Sequence, residues 1–110
     1  MEYMGYVQMK RFLLDDIRVI EDVDVTCRSA RQAMPVLEKE MFDVYFFDHD
    51  LGSTKPGTSG YDVLKWALEN DLLNPEGSVF LVTSNPVGRQ NMENQLFTYG
   101  YRKRGTEYVK

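Results

Sequence analysis

Chemistry-bearing residues cluster at three places in this chain, each directly after an apolar run. Asp48-His49-Asp50 follows Val44-Tyr45-Phe46-Phe47, and Gly52 comes soon after. That pattern reads as a buried strand delivering two carboxylates and an imidazole to its C-terminal edge, where open α/β sheets bind their ligands. His49 is the sole histidine of the chain, so it is the one candidate for imidazole chemistry. Asp15-Asp16 follows Phe12-Leu13-Leu14, and Thr83-Ser84-Asn85 follows the run Ser78 to Val82. If these strands are parallel neighbours, the three sets converge on one edge. Carboxylates gathered there repel one another, and a hard divalent cation relieves the repulsion through oxygen ligands. Mg²⁺ suits such an open site, because it accepts one or two carboxylates plus water and a phosphate.

Thr83 to Arg89 forms a second cluster. Pro86 and Gly88 fix a tight turn, and Arg89 and Gln90 stand near the start of a helix. Hydroxyl, amide, backbone N–H and guanidinium groups collected at a helix start suit a phosphate or another anion. Residues 52–60, Gly-Ser-Thr-Lys-Pro-Gly-Thr-Ser-Gly, form a flexible loop beside the Asp-His-Asp set, either a lid or a plain surface connection, with Lys55 within reach of a phosphate in the lid reading. Arg102-Lys103-Arg104 reads as a solubilising surface patch. Tyr45, Phe46, Phe47, Trp66, Phe80 and Phe97 read as packing residues, and Tyr61 as the aromatic closest to the site.

The elements that must position these residues alternate between strand and helix. Strands are predicted at Phe12 to Leu14, Val23 to Cys27, Asp43 to Phe47 and Ser78 to Val82, with a last one at Glu107 to Val109. Ser29 caps a helix whose apolar face is Ala30, Ala33, Met34, Leu37 and Met41. Pro35 inside it is expected to kink the helix or shift its start. Gly60 opens a helix carrying Tyr61, Leu64, Trp66, Ala67 and Leu68, and a third helix covers Gln90 to Phe97. This alternation predicts a mostly parallel sheet with crossover helices. Asp22 and Asp24 read as solvated charges flanking the second strand.

Composition sets outer limits. At 110 residues and 43% hydrophobic, the chain makes one domain, expected over residues 9–110 with residues 1–8 as an N-terminal extension. A formal net charge of −4 argues against general nucleic-acid binding. The single cysteine, Cys27, excludes an intrachain disulfide framework and reads as a small buried residue. No leader and no membrane span are evident, so a cytoplasmic protein is expected.

The sequence resembles the receiver domains of response regulators from Lys10 to about Val82, through LLDD at 13–16, DVYFFD at 43–48, SGYDVLKW at 59–66 and VFLVTS at 79–84. It departs from them in two ways. The connection after Asp16 is too short for the first receiver helix, and the final helix is missing. Lys103 and Lys110 are the lysines on offer for the receiver lysine position. DDIR at 15–18, FDHDLG at 47–52, SGYDVLKW and SNPVGRQNM at 84–92 resemble a narrower group, the cyclic-phosphate-processing receiver-like family of bacteria and phages. The expected fold is therefore a reduced receiver-like (flavodoxin-like) α/β domain lacking the first and last helices.

The resemblance implies metal-dependent hydrolysis of a cyclic phosphate bond in a nucleotide. It implies Mg²⁺ or Mn²⁺ on Asp15, Asp16 and Asp48, and Arg18, Ser84, Asn85 and Arg89 on the phosphate. His49, Asp48 and Asp50 would be the catalytic group, with His49 as general acid or base. Thr83 stands where the family motif begins with a histidine. The alternative is a non-catalytic protein that sequesters a cyclic nucleotide or inhibits a partner protein. A third reading, a phosphoacceptor receiver using Asp48, lacks a placed lysine. Strands apolar on both faces, with both covering helices missing, predict a homodimer through the uncovered sheet face, unless residues 1–8 fold over it.

Overall fold

A computed structural model describes residues 9–110; the N-terminal extension expected at residues 1–8 lies outside them. The strands are β1 (Arg11–Leu14), β2 (Val25–Cys27), β3 (Val44–Phe47), β4 (Ser78–Leu81), β5 (Arg102–Arg104) and β6 (Glu107–Val109), and the helices α1 (Ala30–Lys39), α2 (Gly60–Glu69) and α3 (Pro86–Thr98). All strands join one sheet in the order β2-β1-β3-β4-β6-β5. The first four are mutually parallel, and β6 and β5 add antiparallel. This is the mostly parallel sheet that the alternating pattern predicted, in the reduced receiver-like form that the resemblance implied.

The alternation of side chains along each strand divides the sheet cleanly. Phe12, Leu14, Tyr45, Phe47, Val79, Leu81 and Tyr108 belong to one apolar cluster with the buried residues of all three helices, including Leu37, Leu64, Met92 and Leu96. The three helices therefore share one face. Among the described residues no helix falls between β1 and β2, and none follows β6. Burial of this cluster supplies the main driving force, about 25 cal/mol for each Å² of apolar surface removed from water. Polar ties add direction: the Tyr45 hydroxyl accepts the N–H groups of Phe42 and Asn74 at 3.0 Å each, and the Tyr108 hydroxyl donates to Glu93 on α3 at 2.6 Å.

Several elements differ from expectation for identifiable reasons. β2 starts at Val25, because Asp22 has φ 65 and the Asp24 carboxylate accepts the Arg11 N–H at 2.7 Å; Asp24 thus ties the bases of β1 and β2 and is not merely solvated. The short connection of residues 15–24 still closes a parallel pair, since β1 and β2 are so short that little chain is needed to return to the sheet base. α1 starts at its Ser29 cap and runs through Pro35, which lies on the exposed side where water serves the carbonyl that loses its partner. Met41 lies past the C-cap Glu40 and is 53% exposed. α3 begins at Pro86, which needs no N–H partner in a first turn. The basic run 102–104 is an edge strand, and its charges discourage further pairing. Phe46 and Phe80 lie on the sheet face away from the helices, and Phe97 is largely exposed.

α2 approaches the end of β3 unusually closely. A Cβ on Gly60 would lie 1.6 Å from the Asp48 carbonyl oxygen, while the Gly60 N–H donates to the His49 carbonyl at 2.8 Å. A capping box between Ser59 and Asp62 fixes the helix start. Gly60→Ala must push α2 away from β3, and is expected to cost about 3 kcal/mol, read as a lowered urea midpoint.

Candidate metal and phosphate site

The C-terminal ends of β1 and β3 bring Asp15, Asp16 and Asp48 together, with one carboxylate oxygen of each within 4.8 Å of the others. The strand order reverses between these two strands, so the crevice sits at the topological switch point of the sheet. A cavity of about 540 Å³ opens there, lined by the three aspartates together with Arg18, Asp50 and Ser84. Ile17 and Gly52 complete its wall.

Each acid is held differently. Asp15 is buried, and its Oδ1 accepts the N–H groups of Ile17 at 3.0 Å and Arg18 at 2.9 Å. Its Oδ2 takes the Arg18 guanidinium at 2.6 Å. Arg18 also donates to the Val82 carbonyl at 2.6 Å, which spans the crevice from β1 to the end of β4. Arg28 donates to the carbonyls of Asp15 and Arg18 and so pins the turn from behind. Asp16 faces Gly52, where a Cβ would come 3.1 Å from its carboxylate. Burial and the neighbouring Asp15 charge push the Asp48 carboxyl above its usual range, partly opposed by hydrogen bonds from Thr83 and the backbone of Asp50 and His49. An acid under such strain, beside two others, fits a hard divalent cation: the donors are all carboxylate oxygens, the chemistry Mg²⁺ or Mn²⁺ takes.

The remaining predicted residues divide into those at the cavity and those behind it. Ser84 and Asp50 line it, and both are exposed. Asn85 caps α3 by accepting the Gly88 N–H at 3.0 Å and lies 3.4 Å from Asp50. Arg89 donates to the carbonyls of Leu81 at 3.0 Å and Thr83 at 2.6 Å, which engages its guanidinium at the end of β4, outside the cavity lining. His49 does not line the cavity either. It alternates to the helix side of β3, where its ring lies so close to Gly88 that a Cβ there would be 2.6 Å from the ring. Tyr61 lies beside it, ring centroids 6.1 Å apart. His49 reaches the site through Asp50, Nδ1 to Oδ1 at 3.0 Å. Thr83 is buried, its hydroxyl accepting the Asn85 N–H at 3.1 Å, and it favours the charged form of Asp48.

Lys55 lies in the exposed loop, which folds on itself through Thr58 and Ser53, and it does not line the cavity. Lys103 pairs with Glu93 on the helix side, and Lys110 sits over the Tyr101 ring. Because β6 runs opposite to β4, it carries Lys110 towards the edge of the sheet away from the acids. The arginine staple from Arg28, the Gly52 clearance for Asp16 and the apolar wall at Ile17 carried no sequence signal beyond their neighbourhood to DDIR and DHDLG. Cys27 is buried, with its thiol pushed up by desolvation, as a packing residue should be.

A parallel sheet with an acid triad at its β1/β3 switch point defines a receiver-like domain. The family model described as the cyclic-phosphate processing receiver domain matches residues 10–98. The chain belongs to that family. No curated protein matches it. No helix among the described residues is long and apolar enough to cross a membrane.

The raised Asp48 carboxyl has a consequence for stability. Between the ordinary carboxyl range and the raised native value, the folded chain binds more protons than the unfolded one, so stability falls as pH rises through that window and stays lowered above it. In metal-free buffer at neutral pH, Asp48→Asn is therefore expected to raise the melting temperature by a few degrees and to flatten its dependence on pH. Adding Mg²⁺ is expected to stabilise the natural chain more than this variant, read by calorimetry in both states.

Proposed function

We propose that the chain is a metal-dependent hydrolase of a cyclic phosphate bond in a nucleotide. The observation that carries this reading is the joining, in one cavity, of three clustered carboxylates with Arg18, Asp50 and Ser84; family membership supports it. Asp15, Asp16 and Asp48 would hold Mg²⁺ or Mn²⁺. When bound, the cation supplies positive charge that offsets charge on the phosphate and favours deprotonation of water.

The chain's own residues account for the rest. Arg18, fixed by Asp15 and the Val82 carbonyl, presents the remainder of its fork to a phosphate oxygen. Ser84 offers a hydroxyl at the opposite wall. Opening the ring adds water: its oxygen joins phosphorus, one P–O ester bond breaks, and the leaving oxygen takes a proton. Asp50 is the exposed acid at the cavity, and its bond to His49 makes the pair the proton-handling couple. His49 acts through Asp50, not by direct contact with substrate. Arg89 and Asn85 hold the ends of β4 and α3 in place.

Incubation with Mg²⁺ or Mn²⁺ and a panel of 2′,3′- and 3′,5′-cyclic nucleotides tests this reading. Turnover is expected with at least one substrate. Asp48→Asn should lower kcat at least a hundredfold and Asp50→Asn about as much, in line with general acid–base contributions of about 10²–10⁴; His49→Ala should fall less. No turnover anywhere in the panel would sink the proposal.

One observation favours a second reading, a non-catalytic cyclic-nucleotide binder. The sole imidazole stands behind the cavity, and Thr83, where the family motif begins with a histidine, is a buried hydroxyl. Ligand-dependent rises in melting temperature without turnover would select it.

A further inference from the structure

Arg18 places a positive charge directly on one member of the acid triad. Its Nη1 donates to Asp15 Oδ2 at 2.6 Å and to the Val82 carbonyl at 2.6 Å. The other oxygen of Asp15 accepts the N–H groups of Ile17 at 3.0 Å and of Arg18 itself at 2.9 Å. Both oxygens of Asp15 are thus engaged, and the residue is only 2% exposed, so water competes little for these bonds. Arg28 holds the same turn from behind, through the carbonyls of Asp15 and Arg18. The guanidinium is therefore a fixed charge, and it lines the cavity together with Asp15, Asp16, Asp48, Asp50 and Ser84.

We propose that Arg18 makes the binding of a divalent cation and of a phosphate interdependent: it opposes the cation alone and reinforces it once a phosphate is present. The inference rests on the triad as a cation site and deepens that reading, but it does not require hydrolysis. A cation held by Asp15 must share that carboxylate with the guanidinium, and two positive charges then face each other across one acid. Their repulsion subtracts from what the three carboxylates give the cation. A phosphate changes the balance. Four carboxylates and one guanidinium line the cavity, so an anion is repelled until a cation is there, and is then attracted by both positive groups. The bonds that fix Arg18 leave from Nη1, while Nη2 and Nε carry further N–H groups suited to phosphate oxygens. By linkage, a phosphate that binds better with the cation present must tighten the cation equally. A purely structural brace between Asp15 and Val82 predicts the opposite for the cation alone: removing it would loosen the triad and weaken binding.

Titration calorimetry of the full chain with Mg²⁺, alone and again with inorganic phosphate present, tests the proposal. Arg18→Gln is expected to bind Mg²⁺ alone about tenfold more tightly than the natural chain at low salt, with the difference shrinking as salt is added. Arg18→Lys keeps the charge and is expected to bind Mg²⁺ alone as weakly as the natural chain. Inorganic phosphate is expected to raise the Mg²⁺ affinity of the natural chain about fivefold and that of Arg18→Gln hardly at all. Should Arg18→Gln fail to fold by circular dichroism, the effect of phosphate on the natural chain decides alone. Unchanged or weaker Mg²⁺ binding by folded Arg18→Gln overturns the proposal and leaves the triad as a cation site. So does a natural chain whose Mg²⁺ affinity ignores phosphate. A natural chain that binds no Mg²⁺ overturns the cation site and this proposal together. Tighter Mg²⁺ binding by Arg18→Gln, in a protein that turns over no cyclic nucleotide, sustains the proposal and sinks the hydrolase reading alone.

Discussion

Confining three carboxylates within 4.8 Å of one another is the constraint around which the upper edge of this domain is arranged. Like charges so close resist folding unless something offsets them. Arg18 offsets Asp15, two backbone N–H groups share its other oxygen, and Thr83 with two further N–H groups serves Asp48. These compensations are incomplete, since the Asp48 carboxyl remains raised. Burial first, and repulsion from Asp15 second, keep it raised, and a bound cation would offset both, so affinity for a cation and tension in its absence share their origin. The turn 15–18 and its Arg28 staple hold the acids in place against that tension.

The glycines make this geometry feasible. Gly60 lets α2 press on the Asp48 carbonyl, Gly52 leaves room for the Asp16 carboxylate, and Gly88 leaves room for the His49 ring. Each acts by lacking a side chain where another residue must come close. The site is thus shaped as much by these clearances as by the charged groups. They also explain why the imidazole is seated between α2 and α3 and not over the cavity.

Much of this was legible in the sequence. Apolar runs ending in DD, DHD and TSN placed the strand ends correctly, because a parallel sheet gathers every such end on one edge. Phe46 and Phe80 read as packing residues, yet nothing in the pattern said that they lie on the face without helices. What stayed hidden depends on three-dimensional direction. His49 follows Asp48 in the chain, and the two-residue period of a strand sends it to the other side. Arg89 stands at a helix start as anion-binding arginines do, yet two carbonyls at the end of β4 claim its fork. The hairpin of β5 and β6 was half seen, since RKR reads as surface by composition and only pairing with an apolar partner strand makes it an edge.

The reversal of β6 has a practical bearing on the protein as a tool. The strand descends from Glu107 beside Phe80 towards the sheet base, and Lys110 finishes over Tyr101, below the core and far from the acids in the fold. Anything joined at Lys110, such as a fluorophore or an immobilising tether, would leave from the end of the molecule opposite the cavity. The fold separates the Lys110 side chain from the site, and a surface coupled through that side chain would leave the acidic mouth facing outward to solution.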